Sequence, residues 1–70
     1  MIFVDPVEAQ VRMLRAGIKV RGVAQHLGVS HTTAYRFITA RRPVPPSRVA
    51  GLLELIGPQR GLFARGVPHG

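Results

Sequence analysis

Val23-Ala24-Gln25-His26-Leu27-Gly28-Val29-Ser30-His31-Thr32-Thr33-Ala34-Tyr35-Arg36-Phe37-Ile38 is the stretch that decides how this chain folds. Val23, Ala24 and Leu27, with Val20 one turn earlier, recur at the spacing of a helix with one apolar face. Ala34, Phe37 and Ile38 repeat that pattern further on. Between the two sets, Gly28 interrupts the periodicity and Val29 adds one apolar residue. Ser30 then offers a hydroxyl that caps a helix by accepting a bond from the N–H of Thr32 or Thr33. The pattern predicts a helix over about Val20 to Leu27, a tight turn, and a second helix over about His31 to Ala40. Ala24 is small where two steeply crossing helices bring their backbones together, and Gly28 accepts a positive φ without steric cost. The first helix is the weaker, because it has no good cap and Gly22 lowers its stability by about 1 kcal/mol relative to alanine. On the second, His31, Thr32, Tyr35, Arg36 and Thr39 are left pointing outward.

Working outward, Asp5-Pro6-Val7-Glu8 starts an earlier helix. Asp5 caps it, Pro6 suits the first helical position, and Glu8 reaches back to complete a capping box. That role reads the two acids as a cap and not as a catalytic pair. The helix runs to about Ala16, with Val7, Val11 and Leu14 as its inward face, and Gly17 followed by Ile18 closes it. On the other side of the motif, Arg41-Arg42-Pro43-Val44-Pro45-Pro46 cannot be helical throughout, since each proline disfavours helix in the residue before it. It reads as a stiff, basic linker. A fourth helix begins near Pro46 or Ser47, presents Val49, Leu52, Leu53 and Ile56 at i, i+3, i+4 and i+7, and stops at Gly57-Pro58. Residues 59–70, with Leu62, Phe63 and Val67, read as a loose tail or a short extended arm.

Seventy residues make one domain with a thin core, since a chain this short buries only roughly 60% of its unfolded surface. It has no cysteine, hence no disulfide and no thiolate ligand, and His26 has no second ligand placed beside it for zinc. No metal, cofactor or small-molecule ligand is expected. No run approaches the ~20 apolar residues of a membrane span, and Met1-Ile2-Phe3-Val4-Asp5 lacks the basic start of a signal peptide. These readings lead one to expect a cytoplasmic chain. Ten Lys and Arg face three Asp and Glu, a net +7, and the acids stand only at Asp5, Glu8 and Glu54. The acid-free window between Glu8 and Glu54 holds Arg12, Arg15, Lys19, Arg21, Arg36, Arg41, Arg42 and Arg48. A field of one sign attracts a polyanion, usually nucleic acid. With three acids, no cysteine, no phosphate loop and no nucleophile elbow, no catalytic constellation can be assembled.

The quoted stretch resembles the helix-turn-helix of Cro-type and lambda-repressor-like phage and bacterial regulators. The resemblance is carried by small Ala24, by Gly28 in the turn, and by apolar Val23, Leu27, Val29, Ala34 and Phe37 at the expected spacings. The Arg41-to-Pro46 linker and the helix after it look like those of small Cro-like regulators, so the likeness covers about residues 5 to 57. It implies an all-α fold: a small four-helix, lambda-repressor-like domain over residues 1–70. The helix-turn-helix would span residues 20–39, and short extended arms residues 1–4 and 59–70. One departure is the missing Ser or Thr cap and phosphate-binding glutamine at the start of the first motif helix. Lys19, Val20, Arg21 and Gly22 stand there, and the phosphate contact passes to Arg21 or Lys19.

By the same resemblance, the partner is double-stranded DNA, with helix 31–40 in a major groove ~12 Å wide. His31 and Thr32 read base edges, and Arg36 makes a bidentate bond to guanine. Ser30 and Thr33 bond phosphate near the helix N-terminus, where the dipole favours an anion. Tyr35 stacks on sugar or bonds phosphate, Thr39 completes the outward face, and Arg41 and Arg42 hold phosphates where the chain leaves the helix. One helix reads too few base pairs for genomic specificity, so a dimer on a palindromic operator is expected. Its contact is assigned to helix 4 and to the arms Ile2-Phe3-Val4 and Leu62-Phe63, on the view that they lie outside the core. The function implied is a transcriptional regulator, a repressor acting by occupancy. Two alternatives stay open: an excisionase-like factor that bends DNA, and a phage module that binds an acidic protein surface.

Overall fold

A computed structural model of the protein describes residues 1–64. The chain runs β1 (Phe3–Val4), α1 (Pro6–Ala16), α2 (Val20–Leu27), α3 (His31–Ile38), α4 (Pro46–Ile56) and β2 (Phe63–Ala64). The fold is all-α in the sense expected, four short helices with one minimal antiparallel ladder that pairs Phe3 with Ala64 and Val4 with Phe63. α2 packs on α3 and α4, and α1 packs across both α3 and α4.

The helices are short because strong local signals end them. Asp5 caps α1, its Oδ1 accepting from the N–H groups of Val7 at 3.0 Å and Glu8 at 3.2 Å. At the other end Gly17 takes φ 68°, with its N–H on the Leu14 carbonyl and that of Ile18 on Met13. These are the paired bonds of a Schellman closure. α2 ends the same way: Gly28 has φ 69°, its N–H meets Gln25 O, and Val29 N–H meets Ala24 O at 3.0 Å. The residue after each glycine, Ile18 or Val29, packs its side chain against the core.

α3 closes by the same geometry without a glycine. Ala40 sits at φ 59°, with Ala40 N–H on Phe37 O and Arg41 N–H on Arg36 O. The regular helix therefore stops at Ile38, two residues before the Ala40 expected from sequence, because Ala40 leaves the right-handed region to turn the chain. A left-handed conformation costs an L-residue roughly 1–2 kcal/mol, so this turn is held by its surroundings.

The core contains Ala9, Met13, Val23, Ala24, Leu27, Ala34, Phe37, Ile38, Leu52 and Ile56 from the helices. Val49 and Leu53, read as inward, are half-buried against it. Gly51 lets α4 approach α2, since a Cβ there would stand 2.8 Å from a methyl of the buried Leu27. Non-helical residues complete the core: Val4, Val44 and Leu62 are fully or almost fully buried. Val44 N–H bonds Ile2 O and Asp5 N–H bonds Leu62 O, each at 2.7 Å, so the N-terminal segment lies between the linker and β2. This corrects the assignment of Val4 and Leu62 to a dimer contact; Ile2, Phe3 and Phe63 beside them are half-buried. They are used within the protomer because four helices of eight to eleven residues leave the core open at that end. In α4, Ser47, Ala50 and Glu54 are exposed, and Val49, Leu53 and Leu55 are half-buried. Residues 65–70, with Val67 of the proposed tail, lie outside the described residues.

Two expectations for α1 are also corrected. Its buried face is Ala9 and Met13, while Val7 is 71% and Leu14 83% exposed, and Val11 borders solvent. Apolar residues occur at helical spacing on two faces of this helix, and periodicity cannot say which face turns inward. Glu8 does not reach back to the cap. Its Oε2 instead accepts from Arg12 Nε at 2.7 Å.

Arg12 explains the rotation of α1. Its side chain is only 14% exposed. Besides Glu8, Nη1 donates to the carbonyls of Ile56, at 2.9 Å, and Pro58, while Nη2 donates to that of Arg60 at 2.7 Å. One guanidinium thus ties α1 to the segment after α4, where Gly57 and Pro58 break the helix.

Hydrogen bonds to a charged group contribute about 1.5–3 kcal/mol each and do not add fully. Arg12→Ala is expected to lower unfolding free energy by about 2–3 kcal/mol in urea titration, against less than about 0.5 kcal/mol for exposed Arg42→Ala. At Gly22 an added Cβ would meet only Ile18 Cγ2, at 3.6 Å. Gly22→Ala should therefore stabilise by about 0.5–1 kcal/mol through helix propensity. Ala40→Gly should gain a similar ~0.5–1 kcal/mol by relieving the left-handed alanine. Both gains are read as a raised thermal midpoint.

Candidate nucleic-acid interface

The local fold of the motif follows from its residues. Ala24 and Ala34 are buried, and both are small enough for α2 and α3 to pack closely. Between them the chain reverses through Gly28 and Val29 and restarts at Ser30. Ser30 Oγ accepts from Thr33 N–H at 3.1 Å and donates to Thr33 Oγ1 at 2.9 Å. Burial of Ala34, Phe37 and Ile38 fixes the roll of α3, so that His31, Thr32, Tyr35 and Arg36 are exposed along one face.

The residues singled out from sequence fall into groups. His31, Thr32 and Arg36 are exposed, with no hydrogen-bond partner for their side chains among the described residues. Tyr35 is exposed, and the Arg41 guanidinium stands 5.9 Å from its ring centroid, within the outer reach of a cation–π contact. Arg42 is exposed beside Arg41, just past the α3 closure. Arg21 is exposed in the first turn of α2, which has no side-chain cap. Ser30 and Thr33 bond each other, and half-buried Thr39 donates its hydroxyl to Tyr35 O at 2.6 Å. The hydroxyls of Ser30 and Thr39 thus have structural partners. Their lengths of bonded contact mark them as stabilisers of the two ends of α3.

The electrostatics are simple. Asp5 caps α1, Glu8 pairs with Arg12, and Glu54 Oε1 lies 2.7 Å from His26 Nε2 on the α2–α4 side. The three acids of the chain are therefore held away from α3, and Arg21, Arg36, Arg41 and Arg42 have no carboxylate partner among the described residues. Arg12, counted from sequence as part of the basic field, is removed from it. The i, i+4 pairing with Glu8 was visible in the sequence, but the three carbonyls it binds, 44 to 48 residues away, were not.

A family profile described as the helix-turn-helix domain matches residues 9–65. The chain belongs to this family. No curated protein and no solved structure gives a significant match. The helix-turn-helix domain is a DNA-binding domain, and the match spans α1 to β2 and so includes the whole motif. Among the described residues no helix is long and apolar enough to cross a membrane.

The cap at Ser30 offers a direct check on how α3 is held. Ser30→Ala removes the acceptor for Thr33 N–H and is expected to destabilise by about 1 kcal/mol. Amide hydrogen exchange should quicken first in the opening turn of α3, ahead of α1 and α4.

Proposed function

We propose that the protein is a sequence-specific transcriptional regulator that represses by occupying a palindromic operator as a dimer, with α3 in the major groove. The observation that carries this reading is the exposed face of α3 in a helix-turn-helix domain, flanked by Arg41 and Arg42 and free of acidic side chains. His31, Thr32 and Arg36 are the readers. Arg36, one turn along from the helix start, has the reach and the fork geometry for the O6 and N7 of guanine. Arg21, Arg41 and Arg42 hold phosphates, Tyr35 lies along the sugar-phosphate backbone, and Ser30, Thr33 and Thr39 line the same approach. Free protein in the bacterial cytoplasm would partition onto the nucleoid by charge and find its site by the readers.

Affinity should be largely electrostatic. With roughly four to six phosphates neutralised per protomer, log K falls against log salt with a slope of about −0.9 for each. Selection of bound sequences from random DNA supplies the site, and two variants then separate reading from holding. Arg36→Ala should lose about 1–3 kcal/mol on the selected site and relax preference at one base pair. Arg42→Ala should weaken all sequences alike and reduce the salt slope by about one unit. If both variants behave identically on selected and random DNA, the division of roles is wrong. If no sequence is enriched, the regulator reading fails.

A further inference from the structure

Among the described residues, five large apolar side chains are exposed, and three of them, Val7, Val11 and Leu14, form one stripe along α1. Their spacing of i, i+4 and i+7 puts them in line on a helix of 3.6 residues per turn. The other two are Met1, at the chain end, and Tyr35, on the α3 face. A cluster of exposed apolar residues marks a contact surface more often than scattered ones do. The positive field that suits DNA gives no reason for it, and the described parts of the arms, Phe3–Val4 and Phe63–Ala64, pair with each other.

We infer that this stripe is the dimer interface, closed by α1 of a second copy running antiparallel across a two-fold axis. Charge selects both the occupant and the direction. Glu8 and Arg15 are seven residues apart, so they lie on the same flank of the stripe, one near each end. In an antiparallel pair, Glu8 faces the partner subunit's Arg15, and Arg15 faces the partner subunit's Glu8. In a parallel two-fold pair the same flank of the two copies falls on opposite sides of the seam, so neither Glu8–Arg15 pair forms. Glu8 already accepts Arg12 through Oε2, and a carboxylate has acceptor sites enough for a second cation. The two helix dipoles also run in opposite directions. The midpoint of the Glu8–Arg15 span falls next to Val11, which places that residue nearest the two-fold axis.

The interface is small. Eleven residues make a helix of roughly 16 Å, and one face of so short a helix buries well under the ~800 Å² per partner of a stable complex. The free chain is therefore a weak dimer that exchanges with monomer. Two half-sites on one DNA raise the effective concentration of the second copy to about the millimolar range, so that the pair forms there cooperatively.

The test uses the whole chain without DNA, so its outcome is independent of the proposed function. Sedimentation equilibrium should show a concentration-dependent monomer–dimer exchange below millimolar concentration. Leu14→Glu, at a side chain that is 83% exposed in the protomer, should keep the circular dichroism and melting of the wild type while weakening the dimer at least tenfold. The sequence has no cysteine, so Val11→Cys introduces a single thiol and should oxidise to a covalent dimer. Ala50→Cys, on the exposed side of α4, should stay monomeric under the same oxidation. A wild type that is monomeric to millimolar concentration overturns the inference, as does a dimer that Leu14→Glu leaves intact. A reversible dimer in which Val11→Cys does not cross-link overturns the antiparallel register. Dimerisation of this kind in a chain that binds no DNA would sink the regulator reading and leave the interface standing.

Discussion

The guanidinium of Arg12 is the contact on which the arrangement of this small domain depends. It lies between Glu8 on its own helix and the carbonyls of Ile56, Pro58 and Arg60, the stretch where the chain leaves α4 and turns toward β2. A helix end leaves carbonyls without partners, and a chain with little core has few ways to satisfy them. One planar group with five donors does so at several positions together. The consequence runs through the fold. Holding Arg12 inward sets the roll of α1, buries Ala9 and Met13, and turns Val7, Val11 and Leu14 outward. It also brings Leu62 back to Val4, where Asp5 N–H meets Leu62 O and the terminal strands pair.

A second economy is the repeated use of one turn geometry. Gly17, Gly28 and Ala40 each stand at positive φ and close a helix with the same pair of backbone bonds. The first two are followed by Ile18 and Val29, whose side chains anchor the turn to the core. The third is followed by Arg41 and Arg42, which are exposed. The same closure that returns the chain to the core after α1 and α2 thus delivers two cations to the surface beside α3. Ala40 bears the strain of that placement. Its carbonyl-side neighbours then enter the proline-rich linker, where Val44 drops into the core and anchors the far end.

Much of this was legible in the sequence, element by element. α2 lies where the Val20-to-Leu27 pattern put it. Gly17, Gly28, Asp5 and Ser30 act as the caps their chemistry predicts, and Ala34, Phe37 and Ile38 face inward. These readings succeed because they rest on contacts within a few residues, where spacing alone determines geometry. The phase of α1 was not legible. Val7-Val11-Leu14 and Ala9-Met13 both have helical spacing, and the choice was made by Arg12 through partners more than forty residues away. The arms were misread for a related reason. Ile2-Phe3-Val4 and Leu62-Phe63 are too short to signal a strand pair, and their burial follows from the space left open by the helices. For the candidate DNA face, the exposed positions of α3 could be read directly. The hydrogen bonds that tie up Ser30, Thr33 and Thr39 could be read only in part.

The sequence by itself determined the local elements and the character of the surface: four short helices, two of them capped by Asp5 and Ser30, a glycine turn between α2 and α3, and a basic, acid-free middle of the chain. Local hydrogen bonds, side-chain size and the order of charges suffice for these. Only the tertiary structure decided which face of α1 is buried, that the chain ends close the core, and that Arg12 belongs to the interior while Arg36, Arg41 and Arg42 remain outside. Those outcomes depend on long-range partners and on the volume left between packed helices, neither of which is written at any single position.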